Sequence, residues 1–176
     1  MRTLIVSLLA CAALFPAAQP KPFTILRPNA PALTLASYRG RLVTLVFIST
    51  TCPHCQEFTR ELVPIAKEYA PRGVQFLECA VNPEAAGLVD AFVKQFQPPF
   101  PVGYNTQSVV DDYLQRSVML TFYVPHVVFL NRSGIIVGDY PGESDFIKDP
   151  AANTRAELDK LLKAPASSAK KAPVSK

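Results

Sequence analysis

The sequence predicts an α/β fold, a mixed central sheet with helices on both faces, and two observations carry that expectation. The run Leu42–Ile48 is continuous, apolar and rich in β-branched residues, the pattern of a strand buried on both faces inside a parallel sheet. An amphipathic helix and a second strand follow it, and the chain closes on a hairpin, so parallel and antiparallel strands share one sheet.

The elements follow in order. Residues 19–31 begin as a linker, with prolines at 20, 22, 28 and 31, and Phe23–Leu26 and Leu33–Leu35 read as short edge strands. A turn at Tyr38-Arg39-Gly40 leads into the apolar strand. Phe58, Leu62, Ile65, Ala66 and Tyr69 then mark one face of a helix, in which Pro64 removes a backbone donor and predicts a kink. Arg72-Gly73 ends that unit, and Val74–Val81 is the next strand. Asn82-Pro83 reads as a helix start with Asn82 as N-cap; Leu88, Val89, Phe92, Val93 and Phe96 form the buried face. Pro98-Pro99-Phe100-Pro101 breaks that helix. A shorter one carries Val109, Val110, Tyr113 and Leu114. His126–Leu130 and Ile135–Tyr140 make a hairpin about the turn Asn131–Gly134. Thr154 with Glu157 reads as a capping box opening a last helix through Leu162.

Both ends differ from this body. Arg2, the apolar stretch Leu4–Phe15 and the small residues Ala17 and Ala18 form the pattern of a signal peptide over residues 1–18. Leu8-Leu9-Ala10-Cys11 also matches a lipoprotein cleavage box, which makes Cys11 a possible lipid anchor. Residues 19–163 form the domain, and residues 164–176, rich in Ala, Pro, Ser and Lys, read as a disordered basic tail. The net charge of +4 is accounted for by Arg2, Lys170, Lys171 and Lys176, so the body is neutral and no nucleic-acid partner is expected.

The chemistry concentrates where the first long strand ends. Past the leader three cysteines remain, Cys52, Cys55 and Cys79, too few and too uneven for a disulfide framework. Cys52 falls at the start of a helix, where free backbone N–H groups and the helix dipole favour an anionic sulfur. Cys55, one turn on, can close a short disulfide with it. Pro53 suits the first helical turn, and a protonated His54 would place a cation beside the thiolate, so both tune the redox poise. A zinc site would need a second ligand pair, and Cys79, His54 and His126 are poor fillers. A permanent disulfide in so short a loop would stabilise little. Cys79, among Phe76, Leu77 and Val81, reads as a buried structural thiol.

These motifs resemble the thioredoxin superfamily, specifically its exported thiol–disulfide interchange and redoxin branch in bacteria. The resemblance spans roughly residues 23–163. It rests on Tyr38-Arg39-Gly40-Arg41, the apolar strand, Cys52-Pro53-His54-Cys55 at a helix start, and Val124-Pro125. The Cys-Pro-His-Cys run is similar to that of the strongly oxidising DsbA group; the spacing of elements is more like the TlpA and ResA group, which reduces selected periplasmic proteins. The resemblance implies a thioredoxin-like fold, Cys52 as nucleophile, Cys55 as resolving thiol, and Val124 with a cis Pro125 as the substrate-docking residues. It implies protein thiols and disulfides and a membrane redox partner as partners, no cofactor, no metal, and a periplasmic or otherwise exported location.

The chain departs from that pattern in places. Thr51 stands where the family usually has tryptophan, and Val46 stands where thioredoxin has a buried acid that handles the Cys55 proton; Glu57 or Glu78 are the candidate substitutes. His126 directly after Pro125 is unusual. Two other functions compete with disulfide exchange. A peroxiredoxin-like thiol peroxidase would use Cys52 with Ser49 as the hydroxyl, although Leu45 occupies that motif's proline position. A copper(I) metallochaperone would use Cys52, Cys55 and His126, since soft sulfur ligands favour that ion.

Overall fold

The computed structural model describes residues 19–164. The expected leader, with Cys11, lies outside the described residues, as does the expected tail beyond Ala164. The strands are β1 (Thr24–Ile25), β2 (Leu33–Thr34), β3 (Leu42–Ile48), β4 (Val74–Ala80), β5 (Val102–Tyr104), β6 (His126–Leu130) and β7 (Ile136–Tyr140). The α-helices are α1 (Pro53–Tyr69), α2 (Ala85–Phe96), α3 (Gln107–Leu114) and α4 (Pro150–Lys163).

Five strands form one sheet in the order β5-β4-β3-β6-β7. β3, β4 and β5 are parallel, and β6 and β7 run antiparallel to their neighbours, which is the mixed sheet expected. Every residue of β3 is buried, as its uninterrupted apolar run requires of a central strand covered on both faces. Alternation along the strands sorts side chains into two layers. One holds Val46, Ile48, Val127 and Phe129 with residues of α1, α2 and α4. The other holds Leu45, Phe47, Cys79 and Val128 with Val110, Tyr113 and Leu114 of α3. Burying a side chain such as Leu45 or Phe129 stabilises the fold by about 1.5–3 kcal/mol.

β1 and β2 form a separate antiparallel ribbon that reaches the main sheet by a bridge from Leu26 to Tyr104. Gly103 makes this approach possible, because a Cβ there would collide with the Leu26 carbonyl oxygen and the Ile25 side chain.

Three local expectations change. β5 is absent from the sequence reading, since three residues after a proline-rich break give no usable period. α2 begins at Ala85 with no side-chain cap; Asn82 is drawn off, its amide oxygen accepting from the Thr50 backbone N–H at 3.0 Å. The expected capping box at Thr154 and Glu157 lies inside α4, whose cap falls five residues earlier. Asp149 caps it, accepting from the Ala152 N–H at 3.1 Å, and Pro150 takes the first helical position.

Candidate active site

The end of β3 and the start of α1 are pinned by groups distant in sequence. Asn82, just past β4, accepts from the Thr50 backbone, and its amide N–H₂ donates to the Thr50 hydroxyl at 3.0 Å. Gln56 in the first turns of α1 donates to the Thr50 carbonyl at 2.9 Å. The Cys52 N–H closes the turn onto the Ser49 carbonyl at 3.2 Å. Cys52 is therefore presented by a fixed loop rather than a free one. Asn82 and Gln56 are absent from the sequence-based site, and the Asn-Pro pair that marks Asn82 pointed instead to a helix cap.

Cys52 occupies the N-cap of α1, partly exposed, with Pro53 at the first helical position and His54 exposed at the second. Cys55 is buried beneath them, and the Ser49 backbone N–H points to its sulfur at 3.4 Å. Both are free thiols. Burial pushes the Cys55 thiol far above its ordinary range, the Ser49 N–H opposes this, and the neighbouring Cys52 and Glu78 raise it further. The two sulfurs thus have unlike surroundings, one accessible at a helix head and one shielded from water. His54 makes no side-chain hydrogen bond among the described residues.

The two candidate acids separate cleanly. Glu57 is exposed and paired with Arg60 at 2.7 Å. Glu78 is wholly buried in β4, directly across the parallel ladder from Val46, and so faces the layer that holds Cys55. Its Oε1 accepts from the Thr59 hydroxyl at 2.9 Å, while Oε2 has no partner. The same hydroxyl lies 3.0 Å from the Cys55 carbonyl oxygen. Burial pushes the Glu78 carboxyl up to about 8, with the Thr59 bond pulling the other way. β4 thus places a buried acid directly across from Val46 of β3.

Val124 is partly buried against the same hydrophobic cluster as Cys52, and the Val124–Pro125 peptide bond is cis. His126 does not join them. Its ring lies on the opposite face of the sheet, against Phe47 and Phe122, because residues 125 and 126 of an extended chain project to opposite sides. The copper(I) set of Cys52, Cys55 and His126 is therefore not assembled, and no three His, Cys, Asp or Glu side chains are gathered for a metal among the described residues. Cys79 is fully buried on that same far face.

Comparison with known proteins agrees with this architecture. The solved thiol:disulfide interchange protein, thioredoxin family protein, of Chlorobium tepidum is 22% identical; the match covers 86% of this chain and 99% of that one, with a TM-score of 0.65. A secreted Mycobacterium tuberculosis disulfide oxidoreductase homologous to E. coli DsbE is 19% identical over 76% and 95% of the two chains, with a TM-score of 0.58. The thioredoxin domain of a Bacteroides vulgatus thiol-disulfide oxidoreductase is 16% identical over 83% and 99%, with a TM-score of 0.62. At these identities the likeness establishes the thioredoxin-like fold. No curated protein matches the chain. A sequence model of the AhpC/TSA family matches residues 18–138, a stretch that carries both thiols and six complete strands. On that match the chain belongs to the AhpC/TSA family of redoxins, and it is a thioredoxin-like oxidoreductase.

Proposed function

We propose that the chain exchanges disulfides with exported polypeptide substrates through Cys52 and Cys55. One observation carries the reading: an accessible sulfur at the head of α1 stands above a shielded sulfur one turn later. In the reducing direction the Cys52 thiolate attacks a substrate disulfide, forming a mixed disulfide and expelling one substrate thiolate, which takes a proton from water. Cys55 then passes its proton to the ionised form of Glu78, whose share grows as pH approaches 8, and attacks Cys52, closing the Cys52–Cys55 disulfide and expelling the second substrate thiolate, which takes a proton from water. The oxidising direction is the reverse, with a protonated Glu78 returning the proton to Cys55 as it leaves. In this scheme Pro53 and His54 tune the poise, as in the DsbA-like run they resemble, and Val124 and Pro125 dock the substrate.

Action outside the cytoplasm is supported by the leader pattern over residues 1–18, with Cys11 as a possible lipid anchor and a membrane redox partner to reset the pair. No helix among the described residues is long and apolar enough to cross a membrane.

The test is a trap. Cys55→Ala should accumulate mixed disulfides with polypeptides at Cys52, visible on non-reducing gels, and Cys52→Ala should form none. The peroxidase reading draws on the family match itself. It makes the opposite demand: rapid consumption of hydrogen peroxide by the Cys55→Ala protein, with no trapped polypeptide.

A further inference from the structure

The face of the sheet turned away from the cysteines carries a polar cluster that disulfide exchange leaves unused. His126 follows Pro125 directly and is fully buried. Its Nε2 lies 2.5 Å from Asp139 Oδ1. The register explains the meeting: Asp139 is paired with Val128, which makes it the diagonal neighbour of His126 on one face. The ring stacks on Phe122 at 5.1 Å and meets the edge of Phe47 at 6.1 Å. Its Nδ1 is buried without a partner.

The chain before Pro125 is tied to this ring. Arg116 lies over the Phe122 ring at 5.1 Å and donates to the Thr121 carbonyl at 2.9 Å. Arg116 itself is held 3.6 Å from the buried Asp111. Residues 121–125 are thus gripped at Thr121 by Arg116 and at Phe122 by His126, and His126 is in turn anchored to β7.

We propose that His126, with Asp139, is a positioning residue that fixes the Phe122–Pro125 segment for docking a polypeptide and makes that docking weaken in acid. The proposal rests on the assignment of Val124 and Pro125 as the docking residues. Histidine is the side chain that changes charge between about pH 5 and 8. A neutral ring donates Nε2–H to Asp139 and leaves only a lone pair at Nδ1. A protonated ring adds an N–H at Nδ1, where no acceptor stands, and a buried orphan donor costs about 1–3 kcal/mol. The charged group that meets the ring is Asp139 from β7; Arg116, at the end of α3, lies beyond Phe122 with Asp111 beside it, and Tyr113 of α3 lies near Asp139. Relief of the orphan N–H requires the ring to turn, and the ring is the support of Phe122.

The test reads docking apart from exchange. Binding of an unfolded peptide carrying one disulfide is measured from pH 5.5 to 7.5 on Cys52→Ser/Cys55→Ser protein, alone and with His126→Gln or His126→Phe. The double-serine protein should bind at least threefold more weakly at pH 5.5. His126→Gln keeps a donor for Asp139 but cannot take a charge, and should hold the pH 7.5 affinity throughout. His126→Phe should weaken binding at least threefold at every pH. In the parent with both thiols, iodoacetamide labelling of Cys52 should be unchanged by either substitution. A His126→Gln protein that keeps the acid loss, or Cys52 labelling that changes in step with binding, overturns the proposal. Absence of turnover in the wild type would sink the exchange function instead, and the binding series would still decide the role of His126.

Discussion

Thr59 holds Glu78 by a 2.9 Å hydrogen bond from the helix that carries Cys55, one turn beyond the thiol. This bond is the only one that the carboxyl makes among the described residues, and it leaves Oε2 orphaned in the core. A buried acid in that position is a stability element with a sign.

The folded chain keeps the Glu78 proton up to about pH 8, whereas a glutamate ordinarily releases it near 4.5. The stability that comes from this raised value is fully present below about 4.5 and is lost as pH rises towards 8. The slope is at most ~1.4 kcal/mol per pH unit. Glu78→Gln should flatten it. Urea denaturation of the reduced protein at several values between pH 5 and 8 measures this; equal slopes in the two proteins would show that Glu78 does not hold its proton in the fold. The same variant should slow resolution of the mixed disulfide if the buried carboxyl on the Cys55 layer takes the Cys55 proton. General-base contributions run to about a hundredfold or more, and stopped-flow single turnovers would reveal it.

His54 is exposed beside Cys52, so its effect is electrostatic or nothing. If the imidazolium supports the Cys52 thiolate, His54→Ala destabilises the reduced state and makes the disulfide less oxidising. About tenfold in the equilibrium with glutathione corresponds to roughly 30 mV for a two-electron couple. An unchanged potential would leave His54 as a surface or partner-recognition residue.

The three described thiols should react in separate classes. Cys52 is partly exposed, while Cys55 and Cys79 are fully buried and burial raises both thiols. Alkylation of the reduced native protein, followed by mass spectrometry, should modify Cys52 first and Cys79 only on unfolding. Rapid labelling of Cys79 would mean that the far layer opens in the native state.

Gly103→Ala should destabilise the protein by about 1–3 kcal/mol, the usual cost of forcing atoms into filled space. The added methyl meets backbone at Leu26, which cannot swing aside as a side chain can. Hydrogen exchange should show the loss at residues 24–26 and 104 first, with β3 and β4 still protected. Uniform loss across the sheet would argue that the ribbon is part of the cooperative core.

The central strand and the placing of Cys52 and Cys55 at a helix head were legible because their signals are local: an apolar run of seven residues, then two cysteines one turn apart. The mixed character of the sheet followed from the alternation of strand and helix and from the closing hairpin, whereas β5 and hence the full strand order did not. What escaped depends on pairs distant in the chain. Glu78 reads as one acid in an apolar strand, and only the β3–β4 register sets it across from Val46. Asn82 resembled a helix cap because its backbone does turn there, while its side chain serves Thr50. Thr154 resembles a cap through its spacing to Glu157, but Asp149, five residues earlier and followed by Pro150, takes that role. His126 seemed able to join the thiols until the strand's alternation turned it to the other face.

The bridge between Leu26 and Tyr104 sets synthesis and assembly in opposite directions. A ribosome delivers the β1–β2 ribbon before β3, α1, β4 and α2, yet the backbone bridge that joins it to the main sheet is made to Tyr104 of β5, which follows them all. The β3-α1-β4 unit, thiols included, can close as soon as Ala80 is made, since each of its contacts is between neighbours in the chain. The hydrogen-bonded edge for Leu26 does not exist until Tyr104 is made, so the ribbon's backbone pairing is among the later long-range contacts to close.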